Sequence, residues 1–243
     1  MPNGGTHAAV RWAGWAAFGL AVGWAVASLT TGFAIGFSIL QPASLLFTLS
    51  HHRDLFIFSN ATMIATQLLV APLVLGLVVV LRPALSRPAV TLGLTSLAVS
   101  SLLFVMSAAC HTVYGTVPAK EIGSAKGLRS SDVVLNSDVL HHVADFFYFL
   151  GIAATIIALV LLARALRESP VFGRGIALLA VATAVAHALQ FGWLLGITPM
   201  ENFGIVGIVL HVTLLSLLGL HLLRAVPSLA EKGSTDRLLA THT

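Results

Sequence analysis

Six long apolar segments, separated by short polar intervals, constrain this chain more than any other feature. They cover roughly residues 10–38, 55–81, 88–114, 139–167, 172–196 and 202–225. Each is at least as long as the ~20 residues that an α-helix needs to cross the hydrocarbon core of a bilayer. Because the segments lack the apolar–polar alternation of a barrel strand, they predict helices rather than strands. We therefore expect an all-α fold, an integral membrane bundle of six transmembrane helices.

The composition also favours a membrane protein over a soluble one. Hydrophobic residues make up 57% of the 243 residues, and charged residues only 9%, whereas a soluble domain carries about 25% charged residues. So much apolar surface requires a lipid bilayer as the main partner. The basic residues are scattered between the apolar segments, so we expect no nucleic-acid partner. The single cysteine, Cys110, rules out an intrachain disulfide, and nothing in the sequence fixes an oligomeric state.

The distribution of Lys and Arg predicts that both termini lie in the cytoplasm. With the N-terminus inside, nine of the 13 basic residues lie at inner segments and four at outer ones, as the positive-inside rule requires. We expect a multi-pass protein of the cell membrane with a flexible N-terminus (1–9), a transmembrane domain (10–225) and a flexible cytoplasmic tail (226–243). The start of the first segment has signal-peptide features, but its apolar character continues through Leu40, which favours an uncleaved helix.

Prolines in the polar intervals predict where helices end, Pro227 among them. Pro72 is different because it lies inside the second apolar segment, where it predicts a kink. The longest interval, 115–138, mixes acidic and basic residues without a sustained period. We expect that interval to form a flexible loop over the outer face.

Ionisable residues near the start of the fourth segment point to a site. His141, His142 and Asp145 lie inside a stretch that is otherwise apolar. A carboxylate in a membrane span is costly and therefore indicates a functional site by default. His141, Asp145 and Tyr148 recur at i, i+4 and i+7, so they share one helical face, and His142 flanks it.

Counting from the predicted outer boundary at about 1.5 Å per residue gives the depth of each polar residue. His111 and His142 lie about 4–5 Å deep, Asp145 about 9 Å, and His187 and His211 about 13–14 Å. Polar groups in a span turn towards the bundle interior or a wet cavity. The sequence therefore predicts a polar pocket that opens outward and ends near His187 and His211.

These residues suit two kinds of chemistry. The candidates for general acid–base catalysis are Asp145, His142, His187 and His211. The candidate metal ligands are His111, His141, His142 and Asp145, since zinc and related ions bind imidazole and carboxylate groups. A metal ion is thus one candidate cofactor, beside acid–base catalysis without a metal, and the HHxxD spacing matches no standard metal motif. Haem is disfavoured because His187 and His211 lie on helices joined by a tight turn, which would pack only about 8–10 Å apart.

Three classes of function stay open at this point. The outward-opening His/Asp pocket favours a membrane-embedded enzyme that acts on an apolar or lipid-like small molecule. A transporter commonly has internal repeats and broken helices, whereas here only Pro72 interrupts a segment and no repeat is evident. A non-catalytic component, such as a partner subunit, a sensor or an immunity protein, would need only well-packed helices.

Overall fold

A computed structural model describes the backbone of residues 3–35, 42–124, 128–194 and 202–240, and the side chains of residues 5–32, 52–115, 139–191 and 203–227. Within these ranges the regular structure is entirely helical. The helices are α1 (Asn3–Ile35), α2 (Pro42–Gln67), α3 (Val70–Val80), α4 (Pro88–Ser124), α5 (Leu128–Glu168), α6 (Gly173–Leu194) and α7 (Asn202–Ala240). A single 3₁₀ turn at Arg82–Ala84 lies between α3 and α4.

Six helical stretches in the described residues are long and apolar enough to cross a membrane. They are Gly5–Gly32, His52–Val80, Pro88–Gly115, Val139–Glu168, Gly173–Phe191 and Phe203–Pro227. These spans coincide with the six apolar segments to within a few residues at most ends, so the predicted all-α multi-pass bundle is confirmed. The agreement has a simple cause: in hydrocarbon the backbone must satisfy its own hydrogen bonds, and a continuous helix does so.

The break predicted at Pro72 is present and divides the second span into α2 and α3. Proline has no N–H, so the carbonyl of Leu68, four residues earlier, loses its helical partner. The helix is interrupted at Leu68 and Leu69, and the Leu69 N–H donates instead to the Thr66 carbonyl at 2.9 Å. The same span also bends at His52, whose backbone is non-helical (φ −123°, ψ 24°).

Three helix ends differ from the sequence-based prediction: the end of α4, the start of α5 and the end of α7. The expected loop over 115–138 is largely helical, because α4 continues to Ser124 and α5 already begins at Leu128. Ala119, Lys120 and Glu121, followed further on by Leu128 and Leu135, have high helix propensity, and helix formation does not require an apolar run. Likewise Pro227 lies inside α7 instead of ending it. Helical backbone extends into both terminal segments, from Asn3 and to Ala240.

The bundle packs α4 against α5 and places α1 between α7 and the α2–α3 pair. Its core contains large buried side chains such as Leu20, Leu73, Ile152 and Leu222. Small residues let α1 approach the second span closely. A Cβ added to Gly76 would lie 2.1 Å from the Cβ of Ala13, so only glycine allows this contact. The packing of α4 against α5 positions the candidate site.

Candidate metal centre

Packing of α4 against α5 brings together His111, His141 and Asp145. His141 and Asp145 are four residues apart on one face of α5, and the Nε2 of His141 lies 3.4 Å from the Oδ2 of Asp145. His111 approaches from α4, with its Nε2 3.5 Å from the Oδ1 of Asp145. The carboxylate is thus placed between two imidazoles from two helices.

The spacing of these three side chains is compatible with a shared metal ion. Their candidate ligand atoms all lie within 4.8 Å of one another. Ligand atoms at about 2.0–2.1 Å from a tetrahedral zinc ion lie roughly 3.3–3.4 Å apart, so side chains this close need only modest movement to share an ion. Catalytic zinc sites often combine two histidines, one carboxylate and an open position for water. The same donor set is typical of non-haem iron sites.

Neighbouring side chains hold the two imidazoles in place. Tyr114, which is fully buried, stacks on the His141 ring with 5.2 Å between centroids. Phe56 meets the His111 ring edge-on at 6.0 Å. The Ser107 hydroxyl lies 3.5 Å from Nδ1 of His111, the nitrogen opposite the one that approaches Asp145. A partner on that nitrogen is the usual device for orienting a metal-binding histidine.

The three residues line a cavity of about 320 Å³ between α1, α2, α4, α5 and α7. Its apolar walls include Trp24, Phe56, Met63, Phe104 and Ile208. Its polar residues besides the cluster are Ser28, Thr31, Ser59, Asn60, Ser107 and Tyr148. The side chain of Asp145 is 36% exposed, so the carboxylate can be reached from the cavity. A mostly apolar pocket with a few converging polar groups is typical of a small-molecule site.

His187 and His211 form a separate buried pair rather than the floor of this cavity. Nε2 of His187 lies 3.3 Å from Nδ1 of His211, and both residues are buried. The rings touch directly, which leaves no gap for a porphyrin plane between them. Trp24 packs on His211 with centroids 5.2 Å apart and also lines the cavity. The pair thus lies behind one wall of the pocket.

Gln190 lies between the polar residues of the cavity and the buried His187–His211 pair. Its side chain lies beside both Tyr148 and His187. Tyr148 belongs to the cavity, and His187 to the buried pair. The polar residues predicted to share one funnel are therefore neighbours, although they do not all line one cavity.

His142 has a different position from the one expected. It is exposed, whereas its neighbour His141 is largely covered, and it does not belong to the group of three possible ligands. A step of one residue turns a helix by about 100°, enough to point adjacent side chains to different surroundings. Of the predicted metal ligands, the structure brings together His111, His141 and Asp145.

Some of the residues around the site gave no signal in the sequence. Thr31 and Ser59 come from different helices, and their hydroxyls lie 2.6 Å apart at the cavity. The Ser59 hydroxyl also donates to the Ala27 carbonyl at 2.8 Å. Hydroxyl residues are common in membrane helices, where they bond to backbone carbonyls. No sequence pattern therefore indicated that Thr31 and Ser59 belong to the site. Tyr148, by contrast, could be found from its i+7 spacing to His141.

Comparison with known proteins adds no family to these observations. The chain matches no protein-family model, and it has no significant similarity to the curated proteins or to the solved structures.

Proposed function

We propose that the protein is a membrane-embedded, metal-dependent hydrolase that acts on a lipid-like ester or amide. The observation that carries the proposal is the convergence of His111, His141 and Asp145 on one cavity inside a membrane bundle. A carboxylate and two imidazoles that served only packing would not need an adjoining cavity. Three protein ligands leave a coordination position free for water.

The surroundings of the cluster suit an amphiphilic substrate. The cavity has aromatic and aliphatic walls, including Trp24 and Phe104, while hydroxyl and amide groups lie around the cluster. An acyl chain would occupy the apolar part, and a polar ester or amide group would lie at the metal. Tyr148 lines the same cavity and supplies a hydrogen-bond donor for charge that develops on the carbonyl oxygen.

Hydrolysis needs only water as a co-reactant. A divalent metal held by His111, His141 and Asp145 would lower the pKa of a bound water to about 7 and so supply a nucleophile at neutral pH. The water oxygen would bond to the carbonyl carbon, and the C–O or C–N bond to the leaving group would break. The leaving alcohol or amine would take up the proton lost by the water, so atoms and charge balance without an oxidant or reductant.

We place the site at the outer end of the bundle, in the cell membrane. The cluster lies near the C-terminal end of the third span and the N-terminal end of the fourth. The positive-inside rule assigns that end to the exterior, because the opposite end carries Arg82, Arg87, Arg164, Arg167 and Arg174. A substrate would then enter from the outer leaflet or the outer aqueous phase.

The first test is metal content. Protein purified in detergent and loaded with zinc should retain about one equivalent by elemental analysis, whereas Asp145→Asn and His111→Ala should retain less than about a tenth of that. His52→Ala is the matched control, because it removes an exposed histidine that does not line the cavity. Equal retention by all four proteins would contradict the metal site.

The second test concerns the reaction. Zinc-loaded protein is incubated with vesicles that contain ester- and amide-linked lipids, and free fatty acid is followed by mass spectrometry. We expect product from wild type and from His52→Ala, and none above background from Asp145→Asn. If the protein binds zinc stoichiometrically but releases no fatty acid from any of these lipids, the metal site is supported and the proposed hydrolase activity is contradicted.

A further inference from the structure

A second cavity lies at the opposite end of the same bundle, between α5 and α6. Its volume is about 680 Å³, and three arginines line it: Arg164, Arg167 and Arg174. All three are exposed. The only acidic residue among the lining residues is Glu168, so the groove has a net positive charge.

Ion pairing within the groove leaves two of the arginines available. Glu168 accepts from Nε of Arg164 at 2.9 Å and also pairs with Arg87 of α4. One carboxylate is therefore shared by two guanidinium groups. Arg167 and Arg174 have no ion pair to another of the described residues, and they belong to the two walls of the groove.

The rest of the groove is apolar. Below the arginines lie Ala163, Ala177, Leu178 and Val181, and Leu178 is 58% exposed. The α5–α6 turn joins the two spans at this end of the bundle, so a bilayer would cover the apolar residues and leave the arginines near its boundary. Such a groove is complementary to a phospholipid, because its basic residues can bind the phosphate group and its apolar residues can contact an acyl chain.

We infer that the groove formed by Arg164, Arg167 and Arg174 binds the headgroup of an anionic phospholipid. The phosphate would be held by the guanidinium groups of Arg167 and Arg174, which can donate two parallel hydrogen bonds each. One acyl chain would lie along Leu178 and Val181. The groove shares no residue with the proposed metal centre and lies at the other end of the bundle, so the two proposals can be tested independently.

The experiment titrates detergent-purified protein with phosphatidylglycerol or phosphatidylcholine and counts the bound lipids by native mass spectrometry. Wild type should bind the first phosphatidylglycerol at least about tenfold more tightly than phosphatidylcholine. Arg167→Gln/Arg174→Gln should lose roughly 10- to 30-fold in affinity for phosphatidylglycerol. Arg167→Lys/Arg174→Lys keeps the charge and should retain most of the preference.

The matched control is Arg11→Gln/Arg224→Gln, which removes two exposed arginines from the same end of the bundle but outside the groove. It should bind phosphatidylglycerol like wild type. An equal loss in this control would assign the effect to the general positive charge of the surface and overturn the proposal. Equal affinity of wild type for both lipids would overturn it without reference to any variant.

A competition experiment distinguishes a lipid from a soluble anion as the ligand of the groove. Glycerol 3-phosphate carries the phosphate without an acyl chain, and at equal concentration it should displace little phosphatidylglycerol. If it displaces the lipid completely, the groove is a site for a free phosphate compound, and the assignment to a phospholipid is wrong.

Discussion

The Nε2 atom of His111 lies 3.5 Å from the Oδ1 atom of Asp145, across the interface between α4 and α5. His141 approaches the other oxygen of the same carboxylate. One acidic group thus connects two helices and two imidazoles beside a cavity.

The adjacent histidines of α5 should respond differently to substitution. His141→Ala removes a possible ligand and should reduce zinc retention to about a tenth or less, whereas His142→Ala should leave retention close to that of wild type. The physical reason is the turn of about 100° between neighbouring side chains. Elemental analysis of the two purified variants checks this. Loss of zinc in His142→Ala alone would mean that α5 is rotated relative to the described structure.

The buried pair His187 and His211 should behave as one unit in stability measurements. His187→Leu leaves a ring nitrogen of His211 buried without its partner and should cost about 1–3 kcal/mol, whereas His187→Leu/His211→Phe should come closer to wild type. Reversible unfolding in detergent gives the four free energies of a double-mutant cycle. Additive losses would show that the 3.3 Å contact carries no coupling.

The same pair should be dispensable for metal binding. Neither histidine belongs to the group of three possible ligands, so the double variant should retain zinc like wild type. If zinc is lost while the unfolding free energy is preserved, the pair contributes to the metal centre through Gln190 and Tyr148.

Gly76 should tolerate no larger side chain, because α1 lies directly against it. A Cβ at this position would lie 2.1 Å from the Cβ of Ala13, and relieving such a clash costs about 1–3 kcal/mol. Gly76→Ala should therefore lower the thermal midpoint of the detergent-solubilised protein. Gly175→Ala is the matched control, since its Cβ would meet nothing within 4 Å. An unchanged midpoint in Gly76→Ala would show that α1 does not pack this closely.

The orientation of the bundle can be tested with reporters at the C-terminus. The excess of Lys and Arg at one end predicts that the C-terminus is cytoplasmic. A green fluorescent protein fused there should be fluorescent in bacterial cells, and alkaline phosphatase fused at the same place should be inactive. Active phosphatase at the C-terminus would place the metal centre on the cytoplasmic side.

The sequence by itself determined the six apolar spans. Apolar content and segment length are local properties, and a bilayer forces each such segment to form a helix because the backbone must bond to itself. The break near Pro72 followed for the same reason, since a missing N–H acts within one turn. The spacing of His141, Asp145 and Tyr148 predicted that these three share one helical face, and in the structure all three line the same cavity.

Only the tertiary structure decided which polar residues meet. His111 joins Asp145 because α4 and α5 pack at one particular rotation, and hydropathy does not encode that rotation. His142 stays exposed on α5. The packing of α1 against α7 places Trp24 between His211 and the cavity. Residue depth counted along a helix gives height in the membrane but not azimuth, and side chains at equal height meet only if their helices turn them towards each other.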